Sequence, residues 1–141
     1  MSPTRFLHEL QRLKALLAAE LGPRLRERGL APSTVFMLDL VERHPYPSEM
    51  CRELGMPPPT ASRLLKSLEV EGYVVREAAA GDLRRHRFRL TPAGLRLRGE
   101  IQALAATAVE RRLRRLDAAE REQLERSLLR LVDEEDDTDG E

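Results

Sequence analysis

Hydrophobic residues recur along most of this chain at the three- and four-residue spacing that is typical of amphipathic helices. The pattern predicts a first helix that ends near Gly22 and Pro23, because proline has no backbone N–H to donate within a helix. Its apolar positions are Phe6, Leu7, Leu10, Leu13, Leu17 and Leu21. A second helix is predicted over residues 30–43, where apolar side chains point to more than one side and indicate an interior position.

The pattern is most informative in residues 48–94. A short helix is predicted here, with Ser48 as its N-terminal cap and Gly55 at its end. The following helix, residues 58–71, has a single apolar stripe, formed by Ala61, Leu64, Leu65 and Leu68. Gly72 is predicted to terminate that helix, because glycine readily adopts a positive φ.

After this helix the hydrophobic period changes to that of a strand. Residues 73–77 are β-branched and aromatic, which favours a strand, and residues 78–82 predict a turn. Residues 85–90 then alternate, with His86, Phe88 and Leu90 on one face and Arg85, Arg87 and Arg89 on the other. A helix, a tight turn, a second helix and a basic hairpin together predict a winged helix-turn-helix.

Beyond the hairpin, Thr91 and Pro92 predict the start of a helix about 25 residues long. Its apolar positions are Leu97, Ile101, Leu104, Ala108, Leu113 and Leu116. One more amphipathic helix is predicted after Asp117, with Leu124, Leu128, Leu131 and Val132 as its apolar side chains. Residues 133–141 are acidic and lack apolar side chains, which predicts a disordered tail.

These elements predict a mainly α-helical fold with a small β-wing. The winged helix-turn-helix occupies about residues 30–91, within one domain that spans residues 1–132. The first helix and the last two carry apolar stripes that have no partner within that lobe, so residues 3–21 and 92–132 are expected to form a dimerisation layer between two copies. The alternative is a monomer with a small helical cap.

Charge is distributed unevenly along the 141 residues, although the formal net charge is zero. Residues 52–98 carry ten basic and five acidic side chains, a net charge of +5, whereas residues 117–141 carry three and eleven, a net charge of −8. A polyanion is therefore expected to bind the middle of the chain. Apolar runs are short and interrupted by charge, so we expect a soluble, cytoplasmic protein without a signal peptide or membrane span.

The residues that usually carry catalysis or bind metals are scattered. His8, His44 and His86 are isolated, and the chain has no Gly-rich phosphate loop, so we expect neither an enzyme nor a cofactor or metal site. The single Cys51 excludes a disulfide within the chain and is predicted to be a small buried side chain. A metal- or redox-sensing protein, the latter acting through Cys51, remains an alternative.

Several short runs in the middle third of the chain point to one family. They are Leu54-Gly55-Met56, Thr60-Ala61-Ser62-Arg63-Leu64, Gly72-Tyr73-Val74, Asp82-Leu83-Arg84 and Leu90-Thr91-Pro92-Ala93-Gly94. With these runs the chain resembles the MarR family of bacterial transcription regulators. PadR-like regulators share the last run, but the helix that precedes the DNA-binding region fits the MarR arrangement better.

The resemblance implies a homodimeric repressor that binds a pseudo-palindromic operator in double-stranded DNA and is released by a small aromatic ligand. The helix at residues 58–71 would enter the major groove and the wing the flanking minor groove. If a ligand pocket exists, Phe36, Met37, His44, Tyr46 and the N-terminal helix are its candidate neighbours, although these residues are expected to be core and loop positions. A winged-helix module for protein contacts is the rival function.

Specific roles follow from side-chain chemistry on those elements. Arg63 or Lys66 can address guanine acceptors, while Thr60 and Ser62 can reach bases or phosphates. Arg84 is the candidate for the narrow minor groove. Two further predicted site residues flank it: Asp82, expected to orient the guanidinium of Arg84, and Arg85, a phosphate contact or a solvated side chain. In place of a Ser or Thr cap, three prolines, Pro57, Pro58 and Pro59, begin this helix, which removes donors for phosphate.

Overall fold

The computed structural model describes residues 1–133 as six helices and one two-stranded antiparallel sheet. In chain order the elements are α1 (Pro3–Glu27), α2 (Pro32–Arg43), α3 (Pro47–Leu54), α4 (Pro58–Val70), β1 (Val74–Ala79), β2 (Asp82–Leu90), α5 (Pro92–Leu113) and α6 (Ala118–Val132). The order confirms the predicted mainly α-helical fold with a small β-wing.

Most of the helix starts follow directly from local sequence. The first five helices begin at a proline, whose fixed φ and missing N–H suit the first helical position. Asp117 begins α6 in a capping box: its side chain accepts the N–H of Glu120 at 2.9 Å, and the Glu120 carboxylate accepts the N–H of Asp117 at 2.8 Å. Ser48 is not the cap of α3, because the helix begins at Pro47, one residue before Ser48, and Tyr46 occupies the cap position.

The predicted end of α1 near Gly22 is wrong. The helix continues through Pro23 to Glu27. Gly22 and Leu25 are both buried, and Leu25 is only 1% exposed within the hydrophobic core. Packing of this last turn against the core offsets the hydrogen bond that the proline cannot make.

The core lies between the helix-turn-helix and the wing. Helix α2 packs against α1, α3, α4 and β2, and α4 packs against α3 and β1. The predicted stripe of α4 faces this core, with Ala61, Leu65 and Leu68 buried and Leu64 partly buried. The alternation predicted for the second strand is also confirmed, since Phe88 and Leu90 are buried and His86 is half-buried, whereas the three arginines between them are exposed.

The chain divides into two compact units, Met1–Ala108 and a second unit from Val109 onward. Within the second unit, the guanidinium of Arg121 donates to both carboxylate oxygens of Glu110, at 3.0 and 3.2 Å, and so joins the end of α5 to α6. Apart from Asp133, the predicted acidic tail lies outside the described residues. No helix within residues 1–133 has the length and apolar character needed to cross a membrane.

The end of the wing is held by a junction around Thr91. The hydroxyl of Thr91 donates to the carbonyl oxygen of Gly72 at 2.6 Å and accepts the N–H of Gly94 at 3.0 Å, which confirms Thr91 as the predicted cap of α5. Its backbone N–H donates to the carbonyl oxygen of Tyr73 at 3.0 Å. A Cβ atom on Gly94 would lie 2.0 Å from that same carbonyl oxygen, so only glycine fits here.

We expect Gly94→Ala to lower the free energy of unfolding by about 1–3 kcal/mol, because the added methyl group forces the backbone of Tyr73 away. Gly99→Ala is the matched control in the same helix, since its added Cβ meets no atom within 4 Å. That control is expected to raise the free energy of unfolding by about 0.5–1 kcal/mol. Urea unfolding followed by circular dichroism at one protein concentration measures both, and equal stability of the two variants would contradict the tight approach.

Candidate nucleic-acid interface

Helix α4 presents a polar surface because its apolar stripe is turned into the core. Ser62, Arg63 and Lys66 are exposed on the outward side, and Thr60 is partly buried in the first turn. Burial of Leu65 and Leu68 sets the rotation of the helix about its axis, so the direction of the polar side chains is also set.

The start of α4 has no free backbone donors to offer a phosphate. Pro57 occupies the cap position without a side-chain cap, and the next two residues are also prolines. The first N–H groups, those of Thr60 and Ala61, already donate to the carbonyl oxygen of Pro57 at 3.0 and 3.2 Å. Polyanion binding at this helix must therefore depend on side chains rather than on the helix terminus.

The tip of the wing contains a bulge. Regular antiparallel pairing runs from Val74↔Leu90 to Ala78↔His86, but the next pair is Ala79↔Asp82, which leaves residues 83–85 out of register. The carboxylate of Asp82 accepts the backbone N–H of Arg84 at 2.9 Å. Asp82 thus shapes the backbone of the bulge, and its orientation of the Arg84 guanidinium on DNA stays a prediction.

Arg85 has a partner that the sequence did not indicate. Its guanidinium carbon lies 3.7 Å from the centre of the Tyr46 ring, a cation–π contact. Nearby, the N–H of Phe88 donates to the carbonyl oxygen of Pro45 at 2.8 Å. Together these contacts tie the wing to the segment between α2 and α3.

The two arginines closer to the base of the wing are paired with one carboxylate. Glu77 on β1 lies 3.0 Å from a guanidinium nitrogen of Arg89 and 3.5 Å from one of Arg87. These exposed pairs contribute little to stability, but they reduce the positive charge along the flank of the wing.

Five other cations of the same region are free. Within residues 1–133, no hydrogen bond or ion pair engages the side chains of Arg52, Arg63, Lys66, Arg76 and Arg84. All five are exposed. A cation that has no internal partner keeps its full capacity for an external anion, so α3, α4 and the wing all offer positive charge for binding.

A groove with a volume of about 600 Å³ lies between α3, α4 and the wing. Leu65 and Phe88 contribute apolar surface to it, and Lys66 and Arg76 contribute positive charge. Cys51 also lines the groove and is partly exposed, so the prediction of a buried thiol is wrong. The described residues contain no group of three or more His, Cys, Asp or Glu side chains that could hold a metal ion.

The four residues named as candidate neighbours of a ligand pocket have different surroundings. Met37 is fully buried, the Phe36 side chain is 59% exposed, and the Tyr46 ring is covered by Arg85. His44 lies 3.8 Å from a carboxylate oxygen of Glu53. Met37 therefore belongs to the core, while His44 and Tyr46 lie in the segment between α2 and α3, as the alternative of core and loop positions predicts.

Comparisons with known proteins agree with this geometry. The family model described as the MarR family matches residues 28–85. The crystal structure of transcriptional regulator PA3341 is 33% identical, with a TM-score of 0.78 over 90% of this chain and 95% of that chain.

The chain belongs to the MarR family. Another member with a solved structure, Rv2887 of Mycobacterium tuberculosis, is similar in its complex with salicylic acid, with 28% identity, a TM-score of 0.73 and coverage of 93% of this chain and 97% of that chain. Its complex with DNA is also similar, with 26% identity, a TM-score of 0.72 and coverage of 94% and 99%. A comparison with curated protein sequences returned no match.

Two contacts of this MarR-family wing were not predicted from the sequence. Glu77 and Arg87 are cross-strand partners, which the alternation of the strands could have indicated once the register was known. The stacking of Arg85 on Tyr46 joins residues that are 39 positions apart and had no signal in the local pattern.

Proposed function

We propose that this chain is a homodimeric, non-enzymatic repressor that binds a pseudo-palindromic operator in double-stranded DNA in the cytoplasm. The observation that carries the proposal is the set of unpaired, exposed cations on the helix-turn-helix and the wing. Unpaired cations suit phosphates and base acceptors. When they neutralise phosphates, the counterions condensed on the DNA are released, which drives association. The proposal is supported by the similarity of this chain to Rv2887 in its complex with DNA.

The two DNA-binding elements take different roles in the proposal. Helix α4 enters the major groove, where Arg63 and Lys66 read guanine acceptors and Thr60 and Ser62 contact bases or phosphates. Arg84 enters the narrow minor groove. Asp82 and Arg85 shape and hold the wing tip that carries it.

DNA binding tests the proposal. A duplex is first selected by the full-length protein from a random-sequence library, and its affinity is then measured by fluorescence anisotropy over a salt series. We expect a steep loss of affinity with salt, and we expect Arg63→Ala to cost about 1–3 kcal/mol per half-site with relaxed preference at one base pair of each half-site. Glu53→Gln, on the adjacent helix, is the control and should bind no more weakly. A salt-independent isotherm would contradict the proposal.

Release by a small aromatic acid is the second part of the proposal. The groove beside α4 combines apolar walls with Lys66 and Arg76, which suits a ring that bears a carboxylate. Rv2887 is known in complex with salicylic acid. An occupant of this groove would meet the side chains proposed to face DNA, so the ligand and the duplex would compete.

We expect salicylate to weaken duplex binding, and we expect Arg76→Gln to lower salicylate affinity at least tenfold in calorimetry without DNA, because the carboxylate loses a charged partner. Arg52→Gln removes an equally free cation that does not line the groove, so it should leave salicylate binding unchanged. An equal effect of the two variants would place the ligand elsewhere.

Dimerisation is proposed from the apolar stripes of α1 and α6. Large apolar side chains on both helices are exposed, among them Leu7 at 63%, Leu10 at 50%, Leu128 at 49% and Leu131 at 66%. Apolar rows of this length are unusual on the surface of a monomer and are typical of subunit contacts. A symmetric dimer would cover them and place two α4 helices on two half-sites.

We expect Leu128→Asp to shift the protein to monomers in analytical ultracentrifugation and to weaken duplex binding, because an aspartate would be buried in an apolar contact. Gln123→Asp adds the same charge to a polar position of α6 and serves as the control. If Leu128→Asp remains a dimer, α6 is not part of the subunit interface.

A further inference from the structure

The wing tip exposes one large apolar side chain beside its free arginine. Leu83 is 85% exposed, and it belongs to the bulge at residues 83–85 together with Arg84. A single exposed leucine is ordinary on a protein surface and by itself needs no explanation. Leu83 differs because its backbone position is held from both sides.

On one side of Leu83, the carboxylate of Asp82 accepts the N–H of Arg84 at 2.9 Å and closes the backbone around the leucine. On the other side, Arg85 folds back over the Tyr46 ring at 3.7 Å. The bulge is therefore anchored at both ends. What it offers outward is an apolar side chain next to a cation with no partner within the described residues.

This pair of side chains matches the chemistry of a minor groove. The negative potential of a narrow minor groove attracts an arginine, and the exposed edge of a base step accepts an apolar side chain that partly unstacks it. Flexible pyrimidine–purine steps unstack most easily. A hairpin tip is narrow enough to bring both groups to the same groove.

We infer that Leu83 is a DNA-contacting residue that packs against a base step in the minor groove beside Arg84. The inference rests on the proposed function, because it assigns a second contact to the same wing. Leu83 supplies shape and apolar contact, so its contribution does not depend on ionic strength, whereas Arg84 supplies charge.

The test uses the full-length protein and the duplex that it selects from a random-sequence library. Leu83→Ser is expected to lower the affinity about tenfold, roughly the effect of losing a partly buried leucine side chain, and to leave the salt dependence unchanged. Leu83→Met keeps the apolar volume and is expected to bind like the unaltered protein. Arg84→Ala should instead reduce the slope of log affinity against log salt by about two, because the proposed dimer loses two arginines.

Val70→Ser is the matched control, because Val70 is 79% exposed at the C-terminal end of α4 and is not one of the side chains proposed to contact DNA. Thermal melts confirm that each variant is folded. The fluorescent base 2-aminopurine is placed in turn at each pyrimidine–purine step in the flanks of the duplex. Its fluorescence should increase at one of these steps when the unaltered protein binds, and this increase should be absent with Leu83→Ser.

The outcomes separate the inference from the proposed function. Equal affinity of Leu83→Ser and the unaltered protein, or an equal loss with Val70→Ser, overturns the role of Leu83 while DNA binding stands. Failure of the unaltered protein to select any duplex overturns the proposed function itself.

Discussion

The arrangement of the DNA-binding lobe depends on the junction around Thr91. This one residue bonds to the end of the segment after α4, to the beginning of the wing and to the first turn of α5. The approach is so close that Gly94 has no room for a Cβ atom beside the carbonyl of Tyr73. Three elements meet at this point, so these hydrogen bonds add to the apolar packing of Leu65 and Leu68 with the wing residues of the same core.

The positive charge of the lobe is divided into paired and free groups. Near the base of the wing, Glu77 holds Arg87 and Arg89, and Tyr46 lies beneath Arg85. These contacts hold the hairpin in place, but they engage three arginines whose positive charge is then less available to a phosphate. The cations at the outer end of the wing and on α4 have no such partners, so the surface proposed for DNA keeps its capacity for anions.

Two kinds of apolar surface occur in the chain. The stripe of α4 is buried within the lobe, where Leu65 is 2% exposed and Leu68 is 4% exposed. The stripes of α1 and α6 remain open, as their leucines show. Burial of the first kind stabilises the folded lobe, whereas burial of the second kind is assigned to the proposed dimer, which would also set the spacing of the DNA half-sites.

The sequence by itself determined most elements, because helix and strand periodicity, prolines at helix starts and capping groups act over a few residues. The apolar stripe of α4 also determined which of its side chains, Arg63 and Lys66 among them, face outward. Tertiary structure decided the continuation of α1 through Pro23, the bulge at residues 83–85 and the stacking of Arg85 on Tyr46. The first and the last depend on contacts between residues distant along the chain, and the bulge depends on the register of the two strands, for which local spacing carries no signal.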